Sequence, residues 1–87
     1  TNSEVNNKTY GQGGPLVTVE SLKNGTVFNP NGYNKVYNQV EEIWMDGEFK
    51  NSRLINGKIY IYDSDGILLK IEIWKNGAYH SDAPLGL

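Results

Sequence analysis

The sequence predicts an all-β fold, an antiparallel meander of short hairpins behind an extended N-terminal arm. Three observations carry that expectation. Six Asn-Gly or Asp-Gly pairs punctuate the chain, at Asn24, Asn31, Asp46, Asn56, Asp65 and Asn76. Gly reaches positive φ at little cost and Asn and Asp tolerate it, so such pairs between apolar runs signal hairpin turns. The segments between the pairs alternate apolar and polar residues with a period of 2. No segment keeps a period of 3.6 over ten residues.

Composition bounds the rest. The 87 residues make room for one small domain, and 38% hydrophobic content can build a modest core. Eight basic residues against ten acidic leave a net charge of −2, which argues against a nucleic-acid surface. No apolar run approaches the length of a membrane span. Cysteine is absent, so disulfide and thiolate-zinc frameworks are excluded. Thr1 in place of Met predicts a processed mature form or a fragment.

Residues 1–14 (TNSEVNNKTYGQGG) read as an extended arm or linker, expected to lie against a partner. Pro15 closes the arm, and residues 15–87 form the hairpin domain. Residues 16–22 (LVTVESL) alternate, with Val17 and Val19 opposite Thr18 and Glu20, and predict a strand. Residues 40–45 (VEEIWM) predict a strand because Asp46-Gly47 follows at once. Lys58-Ile59-Tyr60-Ile61-Tyr62 sets two isoleucines against two tyrosines. In residues 67–74, Ile67, Leu69, Ile71 and Ile73 face one way and Leu68, Lys70, Glu72 and Trp74 the other.

An internal repeat is visible. Val27-Phe28-Asn29-Pro30-Asn31-Gly32 matches Ile61-Tyr62-Asp63-Ser64-Asp65-Gly66. Ile43-Trp44-Met45-Asp46-Gly47-Glu48-Phe49 matches Ile73-Trp74-Lys75-Asn76-Gly77-Ala78-Tyr79. Gly32 to Trp44 is 12 residues and Gly66 to Trp74 is 8, so the first copy is expected to carry an insertion near residues 33–39. Residues 22–28 form a partial third copy.

Residues 58–82 (KIYIYDSDGILLKIEIWKNGAYHSD) resemble the variant MORN-type repeats common in Bacteroidota proteins. The pattern runs from Gly57 through Tyr79, with Trp74 where tyrosine is more usual, and residues 31–49 match it more loosely. The resemblance covers about two-thirds of the chain. It implies consecutive hairpins in an elongated single-layered sheet and brings no catalytic residues. Stacked repeats bury their apolar faces only against neighbours, and end strands invite pairing with another chain.

Several residues combine the composition of a chemical site with a plain structural role. His80 is the single histidine, beside Ser81 and Asp82; exposure or packing is the expected role. Asp63-Ser64-Asp65-Gly66 has the composition of a calcium loop but lacks flanking helices, so an Asx-rich turn is expected. Glu41 and Glu42 would point to opposite faces of a strand and cannot share a site. Gly11-Gln12-Gly13-Gly14 lacks the strand, helix and lysine of a phosphate loop.

The aromatic residues remain. Tyr60, Tyr62 and Trp74 are expected to lie opposite a core of Ile59, Ile61, Ile71 and Ile73. Together with Trp44 and Tyr10 they are the candidate partner-binding residues, since Tyr and Trp are favoured interface anchors. The expected role is a non-enzymatic protein-interaction module, an accessory or structural subunit of a bacterial envelope or extracellular surface assembly. It would bind a larger protein or complex and use no cofactor and no metal. The alternatives are a small carbohydrate-binding module, with Trp44 and Trp74 stacking on sugar rings, and an antitoxin or immunity-type inhibitor.

Overall fold

The computed structural model describes residues 13–85. Five antiparallel strands form one open sheet in meander order: β1 (Tyr33–Tyr37), β2 (Ile43–Lys50), β3 (Arg53–Tyr62), β4 (Leu68–Lys75) and β5 (Ala78–Ala83). The all-β meander expected from the sequence is the observed architecture.

Turn chemistry sets the register. Asn76-Gly77 forms the two-residue β4–β5 turn, with φ of 54° and 80°. The β2–β3 turn is Asn51-Ser52, with φ of 52° and 65°, and uses no glycine at all. The expectation that every Asx-Gly pair marks a turn therefore fails twice. Asp46-Gly47 lies inside β2 and Asn56-Gly57 inside β3. Gly47 pairs directly with Gly57 across the two strands. A Cβ on either would lie well under 3.0 Å from the partner strand's backbone. These glycines serve a close backbone approach rather than a turn.

The two longer hairpin loops are near copies. In residues 38–42, Asn38 Oδ1 accepts the Val40 N–H and the Glu42 N–H, both at 3.0 Å. In residues 63–67, Asp63 Oδ1 accepts the Asp65 and Ile67 N–H groups at 2.8 and 2.9 Å. Asn38 and Asp63 are 25 positions apart. So are the β-bulges after Val36 and Ile61, and those after Glu48 and Ile73. Asn51 N–H donates to Asn31 Oδ1, and Asn76 N–H donates to Asn56 Oδ1, each at 3.0 Å. The repeat unit is thus 25 residues, 31–55 followed by 56–80. This corrects the sequence alignment: the copies are equal in length and no insertion occupies residues 33–39. The pairing of the two Trp-x-Asx-Gly motifs misled, because Asp46-Gly47 is strand and Asn76-Gly77 is turn.

One face of the sheet is covered. Residues 13–30 cross it as a strap. Val17 and Leu22 from the strap join Val36, Met45, Phe49, Leu54 and Ile59 in the buried core. Phe28 packs edge-on against Phe49, with ring centroids 5.2 Å apart. Gly14 N–H donates to Leu54 O, Val17 N–H to Ser52 O and Lys23 N–H to Tyr37 O, each at 2.9 Å. The strand expected over residues 16–22 is not formed. Leu16 makes a lone bridge with Arg53, and residues 19–21 are a 3-10 turn. The Ser21 hydroxyl accepts the Thr18 N–H and donates to the Thr18 carbonyl, which closes the chain on itself. Val17 is consequently buried while Val19 is 84% exposed, so the two do not share a face.

Candidate functional site

Cross-strand pairing defines the two faces. On the covered face one row runs Val36, Met45, Ile59, Glu72, Asp82, and the next runs Asn34, Gly47, Gly57, Trp74, Tyr79. On the opposite face one row runs Lys35, Asp46, Lys58, Ile73, Ser81 across all five strands. Beside it lie Tyr60, Ile71 and Ala83 on one side, and Tyr33, Glu48 and Asn56 on the other. Among the described residues, no segment crosses this second face.

The expected site residues divide between these faces. Tyr60 and Tyr62 lie on the uncovered face and are half-buried. Trp74 lies on the other, opposite Gly57, and packs against the core. The expectation that Tyr60, Tyr62 and Trp74 share one face is therefore wrong. So is a core that combines Ile59 and Ile61 with Ile71 and Ile73. Each strand alternates as read, but β3 and β4 are paired so that Ile71 faces Tyr60 and Ile73 faces Lys58. Alternation within a strand does not say which row of its neighbour it meets.

Trp44 departs from alternation through a bulge. Val36 pairs with Met45 and Tyr37 with Ile43, which leaves Trp44 unpaired with β1. Its ring packs against the core cluster. A bulge re-aims side chains in this way. Tyr10, the fifth expected residue, lies outside the described residues.

Polar contacts fix several rings. Tyr33 is 63% exposed, and its hydroxyl donates to Asp46 Oδ1 at 2.6 Å. That bond, followed by desolvation and the carboxylate's charge, pushes the Tyr33 phenol above its ordinary range. The Tyr62 hydroxyl donates to Ile43 O at 2.5 Å, and burial raises its pKa, with the Glu42 charge a smaller cause. On the covered face Trp74 Nε1 donates to Glu72 Oε1 at 3.2 Å, and Lys70 Nζ meets Glu72 Oε2 at 2.9 Å. The Glu72 hydrogen bond raises the Lys70 pKa.

The other candidates take structural roles. Asp63 is spent on its own loop, as described above. Glu42 Oε1 accepts from Asn38 Nδ2 at 2.9 Å, and Glu41 pairs with Lys23 at 3.7 Å. The exposed His80 ring meets the Ser81 hydroxyl at 2.8 Å, while Asp82 accepts from the Tyr79 hydroxyl. The three do not form a relay. Among the described residues, no group of three or more His, Asp or Glu is placed to hold a metal ion. No helix among the described residues is long and apolar enough to cross a membrane.

Sequence reasoning missed Tyr33, Ile71 and Ile73 as members of the uncovered face. The signal was present: Lys50-Asn51 and Lys75-Asn76, like Tyr37-Asn38 and Tyr62-Asp63, recur at 25 residues and mark the true register. No family model, curated protein or solved structure matches this chain.

Proposed function

We propose that this chain is a non-enzymatic β-repeat module that binds a larger protein through the uncovered face of its sheet. The observation that carries this reading is the contrast between the faces. One is sealed by the strap, while the other presents Tyr60, Ile71 and Ile73 together, with Tyr33 across a row that carries Lys35, Asp46 and Lys58. Aromatic and aliphatic side chains interleaved with charged ones suit a protein interface. The resemblance of residues 58–82 to MORN-type repeats supports a structural or accessory role, in a bacterial envelope or surface assembly. The carbohydrate alternative relied on Trp44 and Trp74 stacking on sugars, and it is weakened because both rings pack against the core.

The test uses the full chain as bait in native envelope extract. A stoichiometric partner should be retained by the wild type and by Val27→Lys, whose site is 94% exposed on the strap. It should be lost with Tyr60→Lys or Ile73→Lys, provided the circular dichroism of those variants is unchanged. Recovery of the chain alone, or equal retention by all variants, overturns the reading.

A further inference from the structure

Four Asn-Gly pairs occur in this chain, and an Asn-Gly pair carries a chemistry of its own. The glycine amide nitrogen, once it loses its proton, can attack the asparagine Cγ. A new N–C bond closes a five-membered succinimide, the bond from Cγ to the carboxamide nitrogen breaks, and ammonia leaves. Water then opens the ring at either carbonyl to give aspartate or isoaspartate. The only co-reactant is water. Glycine favours the attack because it has no Cβ to obstruct the ring. What remains is whether the fold leaves the carboxamide and the glycine N–H free.

Three of the four pairs are held. Asn31 Oδ1 accepts the Asn51 N–H at 3.0 Å, so the carboxamide must give up that bond to turn towards Gly32. Asn56 Oδ1 likewise accepts the Asn76 N–H at 3.0 Å. Gly57 is also locked in β3 against Gly47, where the backbones are too close to rotate. At Asn76 the nucleophile itself is engaged, because Gly77 N–H donates to Ile55 O at 2.9 Å and Gly77 is buried.

Asn24-Gly25 has none of these restraints. Both residues are exposed at the centre of a turn closed by Thr26 N–H donating to Lys23 O at 3.1 Å. Gly25 sits at φ 88° with nothing within 4 Å of its would-be side chain, so its peptide plane can rotate without losing a contact. Among the described residues neither the Asn24 carboxamide nor the Gly25 N–H has a hydrogen-bond partner. We propose that Asn24 is a spontaneous deamidation site, the one Asn-Gly pair of the four that this fold leaves reactive.

The position has a structural consequence. Lys23, the preceding residue, donates its N–H to Tyr37 O at 2.9 Å and so fastens the strap to the outer edge of β1. Its ammonium also pairs with Glu41 at 3.7 Å. An isoaspartate lengthens the backbone of the turn by one bond, and either product adds a negative charge beside that pair. Deamidation therefore loosens the strap at its β1 attachment.

The experiment is incubation of the folded full chain at mildly alkaline pH, with fragment-ion mass mapping over time. The expected result is a mass gain of about one dalton at Asn24 first. The other three should lag by roughly fivefold to tenfold for each hydrogen bond that must break. The same chain in urea should deamidate at all four sites at similar rates, which separates protection by the fold from local sequence. Amide exchange at Lys23 should speed up in the aged protein, and Asn24→Gln should abolish both changes. Equal or faster reaction at Asn31, Asn56 or Asn76 in the folded chain overturns the proposal. So does an unchanged ranking in urea.

Discussion

Residues 31–55 and 56–80 fold as two copies of one backbone and share almost none of their burial. Their loops, bulges and turn-to-strand hydrogen bonds coincide at a spacing of 25. Yet Val36, Met45, Phe49 and Leu54 of the first copy are buried, while β4 and β5 carry no buried side chain. On the covered face the row Val36, Met45, Ile59 turns polar at Glu72 and Asp82. Val17 and Leu22 of the strap join the buried part of that core. The comparison teaches that local side-chain chemistry builds the repeat and that a non-repeated segment decides which copy holds the core.

The sharpest way to break this comparison is a pair of matched truncations. Leu54 and Tyr79 hold equivalent positions, but Leu54 is 0% and Tyr79 51% exposed. Leu54→Ala should cost about 3 kcal/mol by urea denaturation, and Tyr79→Ala under about 1 kcal/mol. Similar costs would mean that the second copy carries core energy not visible in its burial.

Gly57 and Gly32 are the next pair. Gly57→Ala forces a Cβ into the Asp46 carbonyl and should cost roughly 2–3 kcal/mol. At Gly32 the new Cβ meets only the Asn29 side-chain amide at 2.5 Å, which can move. Gly32→Ala should therefore cost clearly less in the same denaturation assay.

The loops supply a pair in which the copies should agree. Asn38→Ala and Asp63→Ala each strand two backbone N–H groups, at a cost of about 1–2 kcal/mol. Amide exchange should accelerate at Val40 and Glu42 in one variant, and at Asp65 and Ile67 in the other. Unequal losses would show that the shared loop geometry is not shared energetics.

The smallest effect concerns pH. The folded Tyr33 phenol titrates above its unfolded value of 10.0, chiefly through its hydrogen bond to Asp46. A raised pKa favours the neutral form, so its contribution is present below pH 10 and is lost as pH rises through the folded pKa. Tyr33→Phe should lower neutral-pH stability slightly and flatten the alkaline loss by the same amount, read by thermal melts from neutral to alkaline pH.

Much of the fold was legible because its signals are local. Asx residues bond backbone groups two and four positions on, and strand alternation needs only the strand itself. The site was less legible. Tyr60 and Tyr62 were read onto an uncovered face, but Trp74 and Trp44 were misplaced for two different reasons. Trp74 depends on which row of β3 it meets, and Trp44 on a bulge that breaks alternation. Asn51-Ser52 hid the central turn because neither residue is glycine, while two glycine pairs inside strands imitated turns.

The sequence by itself determined the strand-rich class and the Asx-capped loops, since each rests on neighbours within a few residues. Only the tertiary structure decided which face is sealed, which copy holds the core and which aromatics stay free. Those depend on register and on contacts such as Gly14 with Leu54, whose partners lie 40 positions apart and which no local rule specifies.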